Sequence, residues 1–400
     1  MAVGSGVSFW AFGLYIGPLE SEFGWSRTEV SLGFSISFIV SGASGPLIGR
    51  WIDTRGPRSA IIIGSVFTAA SYLLLASTGT LWQWYLYSSI NAFFRQLMFF
   101  IPFQALISRW FDRRRGIALG IFGTGFSVGG LVFLPVMGVL IEVLGWRGAF
   151  VVSGGAVAAM FLPTAVWLVR DSPSDLGQAT DGRAWEEGDP PSTSGTGVPP
   201  SVALRTPLFW VLATATAFFF FGVFGLMVHQ IPFFESVGLS RGTATAIVSV
   251  SAGASVLTRV PFSWFADRMA HFEVAAMALA VTLMVAMVAL LIDSGPLGIT
   301  VFLVFWLAGR SAGPIMDALL LTRAFGVRYF ATLLGAVLVV ETVGQILSPT
   351  IAGAIFDATG AYTWAIATYL GTFAISFVLF GVALRMPKPI EAQPRTEPAQ

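Results

Sequence analysis

Apolar runs of about 20 residues recur along the whole chain, and almost all of its cations fall in alternate gaps between them. A run of that length is what an α-helix needs to cross the roughly 30 Å hydrocarbon core of a bilayer. Only 11% of the residues are charged, against about a quarter in a soluble domain. The chain therefore reads as a polytopic membrane protein. The runs lack the short alternating pattern of a barrel strand, so they read as helices. Twelve are expected, over roughly 3–19, 29–49, 59–77, 81–107, 115–142, 148–169, 207–235, 242–264, 273–292, 296–322, 329–356 and 362–385. The first is read as a membrane helix and not as a cleavable signal.

The gaps sort by charge. Arg50, Arg55, Arg58, Arg109, Arg113 to Arg115, Arg170, Arg268, Arg323, Arg328, Arg385 and Lys388 fall on one side, and only Arg27, Arg147 and Arg241 on the other. The excess of Arg and Lys marks the first side as cytoplasmic and puts both termini there. Residues 171–206 break the rhythm with Pro, Gly, Ser, Thr and acidic residues, as a solvated linker between a bundle at 1–170 and a second at 207–386. The tail, 387–400, has the same character and is expected to be disordered.

The two halves overlay. Pro18 and Pro232, Gly24 and Gly238, Ser26-Arg27 and Ser240-Arg241, Asp53 and Asp267, Arg109 and Arg323, and Phe111 and Phe325 all stand the same interval apart. The expected fold is thus all-α, twelve transmembrane helices in two pseudo-symmetric six-helix bundles. Such a parallel repeat places a substrate site between the halves and allows alternating access by rocking.

One loop stretch recurs within that register. GPLIGRWIDTRGPRSA, Gly45 to Ala60, packs an Asp, a helix-breaking Gly-Pro and three Arg between two apolar runs, and SWFADRMAHF, Ser263 to Phe272, repeats its grammar. These stretches resemble the loop signature of the major facilitator superfamily, roughly G-x-x-x-D-R-x-G-R-R. Gly49, Asp53, Gly56 and Arg58 match it, while Thr54 and Pro57 stand where it has Arg. The second copy keeps Asp267 and Arg268, with Ser263 and Ala270 at the Gly positions. On that resemblance Gly49, Asp53, Arg55, Arg58, Asp267 and Arg268 are assigned to an inner gate.

The run LTRVPFSWFADR is similar to the eighth-helix pattern of bacterial members of the monocarboxylate transporter and oxalate/formate antiporter families. So are SRWFDRRRGIALGIFGTGFSVGG, Ser108 to Gly130, at the helix 4 to 5 junction, IGPLESEFGWSR, Ile16 to Arg27, and the linker start RDSPSDLGQATDG. The resemblance implies that Arg259 engages a substrate carboxylate. Mammalian members carry an Asp one turn earlier, where this chain has Ser255. It also implies that helices 1, 4, 7 and 10 line a cavity, 2, 5, 8 and 11 flank it, and 3, 6, 9 and 12 face lipid.

A charge in hydrocarbon is costly, so each one inside a span is a functional candidate. Helices 3, 6, 9 and 12 are read as having none. The others carry Arg95 on helix 4, Arg259 on helix 8, Arg310 and Asp317 on helix 10, and Glu341 on helix 11. Counting about 1.5 Å per residue from the loop cations puts Arg95, Arg310 and Glu341 about 20 Å deep, where Arg310 and Glu341 can pair. Three Arg against two carboxylates leave a cationic excess, and the planar guanidinium fork suits a fixed carboxylate site. Substrate binding is assigned to Arg259, Arg95 and Arg310, with His229 and its repeat partner Tyr15. Asp317, Glu341 and His229 are the candidates for proton coupling.

Each has a plainer alternative: a snorkelling or helix-holding Arg, a solvated structural Asp317, a packing His229. The glycines of helix 5, Gly120, Gly123, Gly125, Gly129 and Gly130, read as packing surfaces. No strand or nucleotide fold accompanies them, which excludes a phosphate loop. With no Cys there is no disulfide framework and no thiol nucleophile, and with two His no zinc site. The expected protein is a non-enzymatic secondary transporter in a prokaryotic cytoplasmic membrane, without cofactor or metal. Its partners are a small organic anion, a proton and membrane lipid, with no nucleic acid and no required oligomer. Proton-coupled monocarboxylate transport is the first reading. An anion antiporter, an exporter of a larger organic acid, and a non-transporting sensor are the alternatives.

Overall fold

The structure is a computed structural model that describes residues 1–183, 196–310 and 313–392. Eleven helical stretches among the described residues are long and apolar enough to cross a membrane. They are α1 (Ala2–Phe23), α2 (Thr28–Arg55), α3 (Pro57–Ala76), α4 (Leu81–Trp110), the double-length Arg115–Leu168, α7 (Pro207–Ser236), α8 (Gly242–Ala266), α9 (Phe272–Ile292), α10 (Pro296–Phe325), α11 (Phe330–Thr359) and α12 (Thr363–Arg385). Arg115–Leu168 is 54 residues long, far more than a bilayer needs. It turns at Gly145, whose φ of 69° and ψ of 169° leave the helical region. Only a residue without Cβ takes that conformation cheaply. The stretch is therefore two spans, α5 (115–144) and α6 (146–168), and the total is twelve.

Local sequence sets the ends. α2 starts on a capping box in which Ser26 accepts from the Glu29 N–H and Glu29 reaches back, and α4 starts on another made by Thr80 and Gln83. Pro57 opens α3 and Pro207 opens α7, at positions where a missing N–H costs nothing. Two spans that face the interior are broken. A π-helical turn, Gly6–Trp10, interrupts α1, and Phe99 leaves helical geometry in α4. Irregular backbone at membrane depth is tolerated only against protein or a water-filled cavity.

The outer faces of α3, α6, α9 and α12 leave Val66, Phe67, Val151, Val152, Val281, Val285, Ile375 and Val378 exposed, as lipid-facing surfaces. One buried cluster, including Val7, Tyr15, Trp84, Trp146 and Phe150, holds α1–α6 together away from the arginine-rich face. The other spans α7–α12 and continues through Ile48, Ile52, Ile101, Ala105 and Leu119 into the first bundle. The bundles are thus fused in the half nearest the α2–α3 and α8–α9 loops.

Two details differ from the sequence reading. Glu273 lies in the first turn of α9, buried and ion-paired with Lys388 at 3.0 Å, so α9 does carry a charge. That pair and a 3₁₀ turn at Pro389–Ala392 give the start of the tail a defined structure where disorder was expected over 387–400; residues 393–400 lie outside the described residues. The described ends of the linker are docked. Asp181 accepts from the N–H groups of Asp112, Arg113 and Arg114 beside α5. The Val198 N–H donates to Phe325 at 2.8 Å, and the Val327 N–H donates to Thr196 at 3.2 Å.

Candidate functional site: a charged cavity over a capped seam

Between the bundles lies a cavity of about 280 Å³. Its lining comes from α1, α2, α4, α5, α7, α8, α10 and α11, and all five charges expected within the spans reach it: Arg95, Arg259, Arg310, Asp317 and Glu341. Asp317 is 4% exposed, Glu341 1% and Arg259 5%, so these are not side chains snorkelling to water.

Arg259 extends from α8 across the interface. Its Nη1 donates to the Gly123 carbonyl of α5 and lies 3.5 Å from Ser127 Oγ. Ser127 in turn meets Ser255 Oγ at 3.1 Å. Arg310 is near enough to Arg259 for the two cations to repel. Its Nη2 is 3.4 Å from the Ser251 carbonyl, and its buried Nε has no hydrogen-bond partner among the described residues. Arg95 holds the Ser8 carbonyl of α1 at 3.4 Å. Gathering like charges in a dry site is unfavourable unless something anionic joins them.

The pairing open to Arg310 and Glu341 is not among the ion pairs of the described residues. Glu341 instead faces Asp317, carboxyl to carboxyl, with Thr216 beside it. Asp317 Oδ1 and Glu341 Oε1 are buried without a hydrogen-bond partner. Counting residues gives a height along each helix, but not the direction a side chain takes around it. On α10, Arg310 meets the Ser251 carbonyl and Asp317 meets Glu341.

Tyr15 and His229 do not line this cavity. Tyr15 stacks on Phe150 with ring centres 4.1 Å apart and borders a separate small cavity that also touches Arg95. His229 packs inside the second bundle, Nδ1 3.1 Å from Tyr362 Oη and Nε2 2.9 Å from the Pro349 carbonyl.

Below the cavity the bundles meet in a two-part seam. In the first part, Gly45 lies against the Gly335 backbone and Gly49 against Ala331 and Thr332, where a Cβ would not fit. Asp53 then accepts from the N–H groups of Ala331 at 3.2 Å and Thr332 at 2.8 Å, and from Thr332 Oγ1 at 2.6 Å. In the second part, Gly116 and Gly120 of α5 pack on Ser263 of α8. Asp267 accepts from the N–H groups of Gly116 at 2.6 Å and Ile117 at 2.9 Å. Neither α11 nor α5 has a side-chain cap of its own. Each Asp supplies from the opposite bundle the acceptor and negative charge that a helix N-terminus favours. Asp267 lies just past the end of α8. Its carboxyl is held above the ordinary aspartate range, because burial outweighs the two N–H donors and the nearby Arg323 and Arg115.

The loop arginines stay within their own bundles. Arg58 donates to the Ala165 and Val166 carbonyls at the end of α6. Arg55 lies over Trp51, and Arg268 over Trp264. Two residues not singled out from sequence do brace the seam. Arg109 donates to the Ile52 carbonyl, and Arg323 to the Ala266 and Met269 carbonyls, each beside its seam Asp. The signal was present: the two stand in the repeat register.

Residues 1–341 match the family described as the Major Facilitator Superfamily. The chain is 28% identical over 250 residues to an oxalate:formate antiporter of Oxalobacter formigenes, covering 62% of this chain and 57% of that protein. It is 26% identical to monocarboxylate transporter 13 of Bos taurus, covering 94% of this chain and 84% of that one. Among solved structures, FucP in the outward conformation superposes with a TM-score of 0.69 at 15% identity, covering 96% and 97% of the two chains. The proton:xylose symporter XylE gives 0.71 at 14%, covering 94% and 93%. At such identities these two likenesses speak to the fold alone.

Proposed function

The chain belongs to the Major Facilitator Superfamily, and on that premise we propose that it is a proton-coupled carrier of small organic monocarboxylates working by alternating access. That it is a multi-pass membrane transporter of the superfamily, related to monocarboxylate transporters and an oxalate:formate antiporter, is the part the comparisons establish. The observation that carries the finer reading is the convergence of three guanidinium groups on one cavity, while its two carboxyls face each other and not the arginines.

On this reading the substrate carboxylate docks on Arg259, with Arg310 and Arg95 completing the anion site. Two carboxyls in contact in a dry site share a proton more readily than they hold two charges. Asp317 and Glu341 thus form the proton site, and the bound anion lies beside them. Neutralising cargo and carrier together lowers the cost of moving charge through the membrane. The seam at Asp53 and Asp267 acts as the inner gate, closed here. The positive-inside pattern places that gate and both termini on the cytoplasmic side.

The test is uptake of radiolabelled lactate, pyruvate and larger carboxylic acids into proteoliposomes, with and without an inward proton gradient. Gradient-stimulated uptake that Arg259→Gln abolishes in folded protein supports the reading; normal uptake by that variant would falsify it. Anion exchange is the second reading. It is favoured by Ser255 standing where the mammalian pattern has Asp and by the antiporter relative. Acceleration by anions loaded inside, with no effect of the proton gradient, would select it. Binding without flux would leave a sensor.

A further inference from the structure

We propose that the cargo of this cavity is an amphipathic carboxylate with a ring-sized apolar body, for example an arylalkanoic acid, and not a two- or three-carbon acid. The inference rests on the carboxylate reading above and concerns what the rest of the cavity is built to hold.

The arginines occupy little of the wall. On the side of the first bundle, Phe9 packs on Phe38 and Phe126 with ring centres 6.2 and 5.1 Å apart. Opposite them, Phe220 and Phe224 of α7 present a second aromatic wall, ring centres 6.5 Å apart. Phe220 also lies against Gly313 of α10, close in sequence to Arg310. On the other wall Phe9 is next in sequence to Ser8, whose carbonyl holds Arg95. Phenyl faces and guanidinium groups therefore adjoin on both sides of the cavity.

Size points the same way. The cavity of about 280 Å³ has room for roughly nine waters at about 30 Å³ each. A three-carbon acid displaces only a few of them and leaves most of the aromatic lining wet. A phenyl ring between two such walls gains both burial and edge-to-face contact. A ring held there while its carboxylate rests on Arg259 uses both features of the cavity; lactate uses one.

The experiment compares saturable uptake of radiolabelled phenylacetate, cyclohexylacetate and lactate by the full chain in proteoliposomes, with tryptophan quenching as an independent measure of binding. Phenylacetate and cyclohexylacetate are expected to half-saturate at concentrations roughly a hundredfold below lactate. Phe126→Ala and Phe220→Ala should each narrow that ratio by about tenfold in protein that remains monodisperse. Lactate saturating at or below the concentration for phenylacetate would overturn the inference and leave the carboxylate reading standing. A ratio unmoved by both Phe variants would overturn it as well. If none of the three acids is bound or carried, the carboxylate reading fails, and the inference falls with it.

Discussion

The two parts of the seam are built on one plan with different materials. At α2–α11 the contact is backbone on backbone, Gly45 to Gly335 and Gly49 to Ala331, and Asp53 collects three donors. At α5–α8 the glycines lie on one helix only, the facing atoms belong mainly to Ser263 and Asp267, and Asp267 collects two donors. The same helix pair also carries Arg259, which bonds the Gly123 carbonyl across the interface. One part is closed by backbone packing and the Asp53 cap. The other places the residue proposed to bind substrate within the closure itself, so an anion that draws Arg259 away from Gly123 changes α5–α8 contact directly. A bond to a carboxylate is stronger than one to a neutral carbonyl, which gives the cargo a lever on this part and not on the first.

The chain contains no cysteine, so paired spin labels can be read without background. One pair, Thr54→Cys with Arg328→Cys, reports on α2–α11. The other, Arg114→Cys with Ala270→Cys, reports on α5–α8. The largest expected effect is from Gly49→Val. Its side chain meets the Ala331 backbone, which cannot move without moving α11, and overpacking of this kind costs about 3 kcal/mol. The Thr54–Arg328 distance should shift almost wholly to the open value. Gly120→Ala meets only the Ser263 side chain apart from a distant Arg259 carbonyl, so the Arg114–Ala270 distance should shift by less than half as much. Equal responses would erase the distinction between the two parts.

Next in size are the two Asp. Asp53→Ala strips three acceptor contacts and leaves the α11 N-terminus uncapped, for about 2 kcal/mol towards opening. Asp267→Ala strips two, for about 1 kcal/mol. The label pairs read both as open-to-closed ratios. A larger shift from Asp267 would reverse the ranking.

Much of this was legible in the sequence because membrane constraints are one-dimensional. Run length sets the spans, loop charge sorts the gaps, and the cost of intramembrane charge isolates Arg95, Arg259, Arg310, Asp317 and Glu341, all of which meet at one cavity. What was hidden depends on rotation about helix axes and on contacts in trans. Glu341 turns to Asp317 and not to Arg310, a choice of direction around the helix axis that residue counting does not carry. His229 and Tyr15 sit at matching places in the repeat yet face inward in their own bundles. The seam Asp were found through a loop pattern, but not that they cap α11 and α5. The absence of a cap at Tyr329 and at Arg114 was a readable sign that one had to come from elsewhere.

The smallest expected effect is a pH dependence of the α5–α8 part. Burial holds the Asp267 carboxyl above the ordinary aspartate range, and the donors on Gly116 and Ile117 only partly offset it. With the seam open, the same carboxyl is in water and titrates in the ordinary range. A proton is therefore bound more tightly by the closed seam than by the open one, and acid favours closure. The contribution is fully present below the ordinary aspartate value and is lost as pH rises through the raised one. The Arg114–Ala270 distance should accordingly lengthen slightly as pH is raised through that window. Other groups titrate too, so the informative quantity is the difference from Asp267→Asn, which has no proton to lose and should show a flatter profile. An identical slope in both proteins would place the titrating group elsewhere, with Asp317 and Glu341 the first to examine.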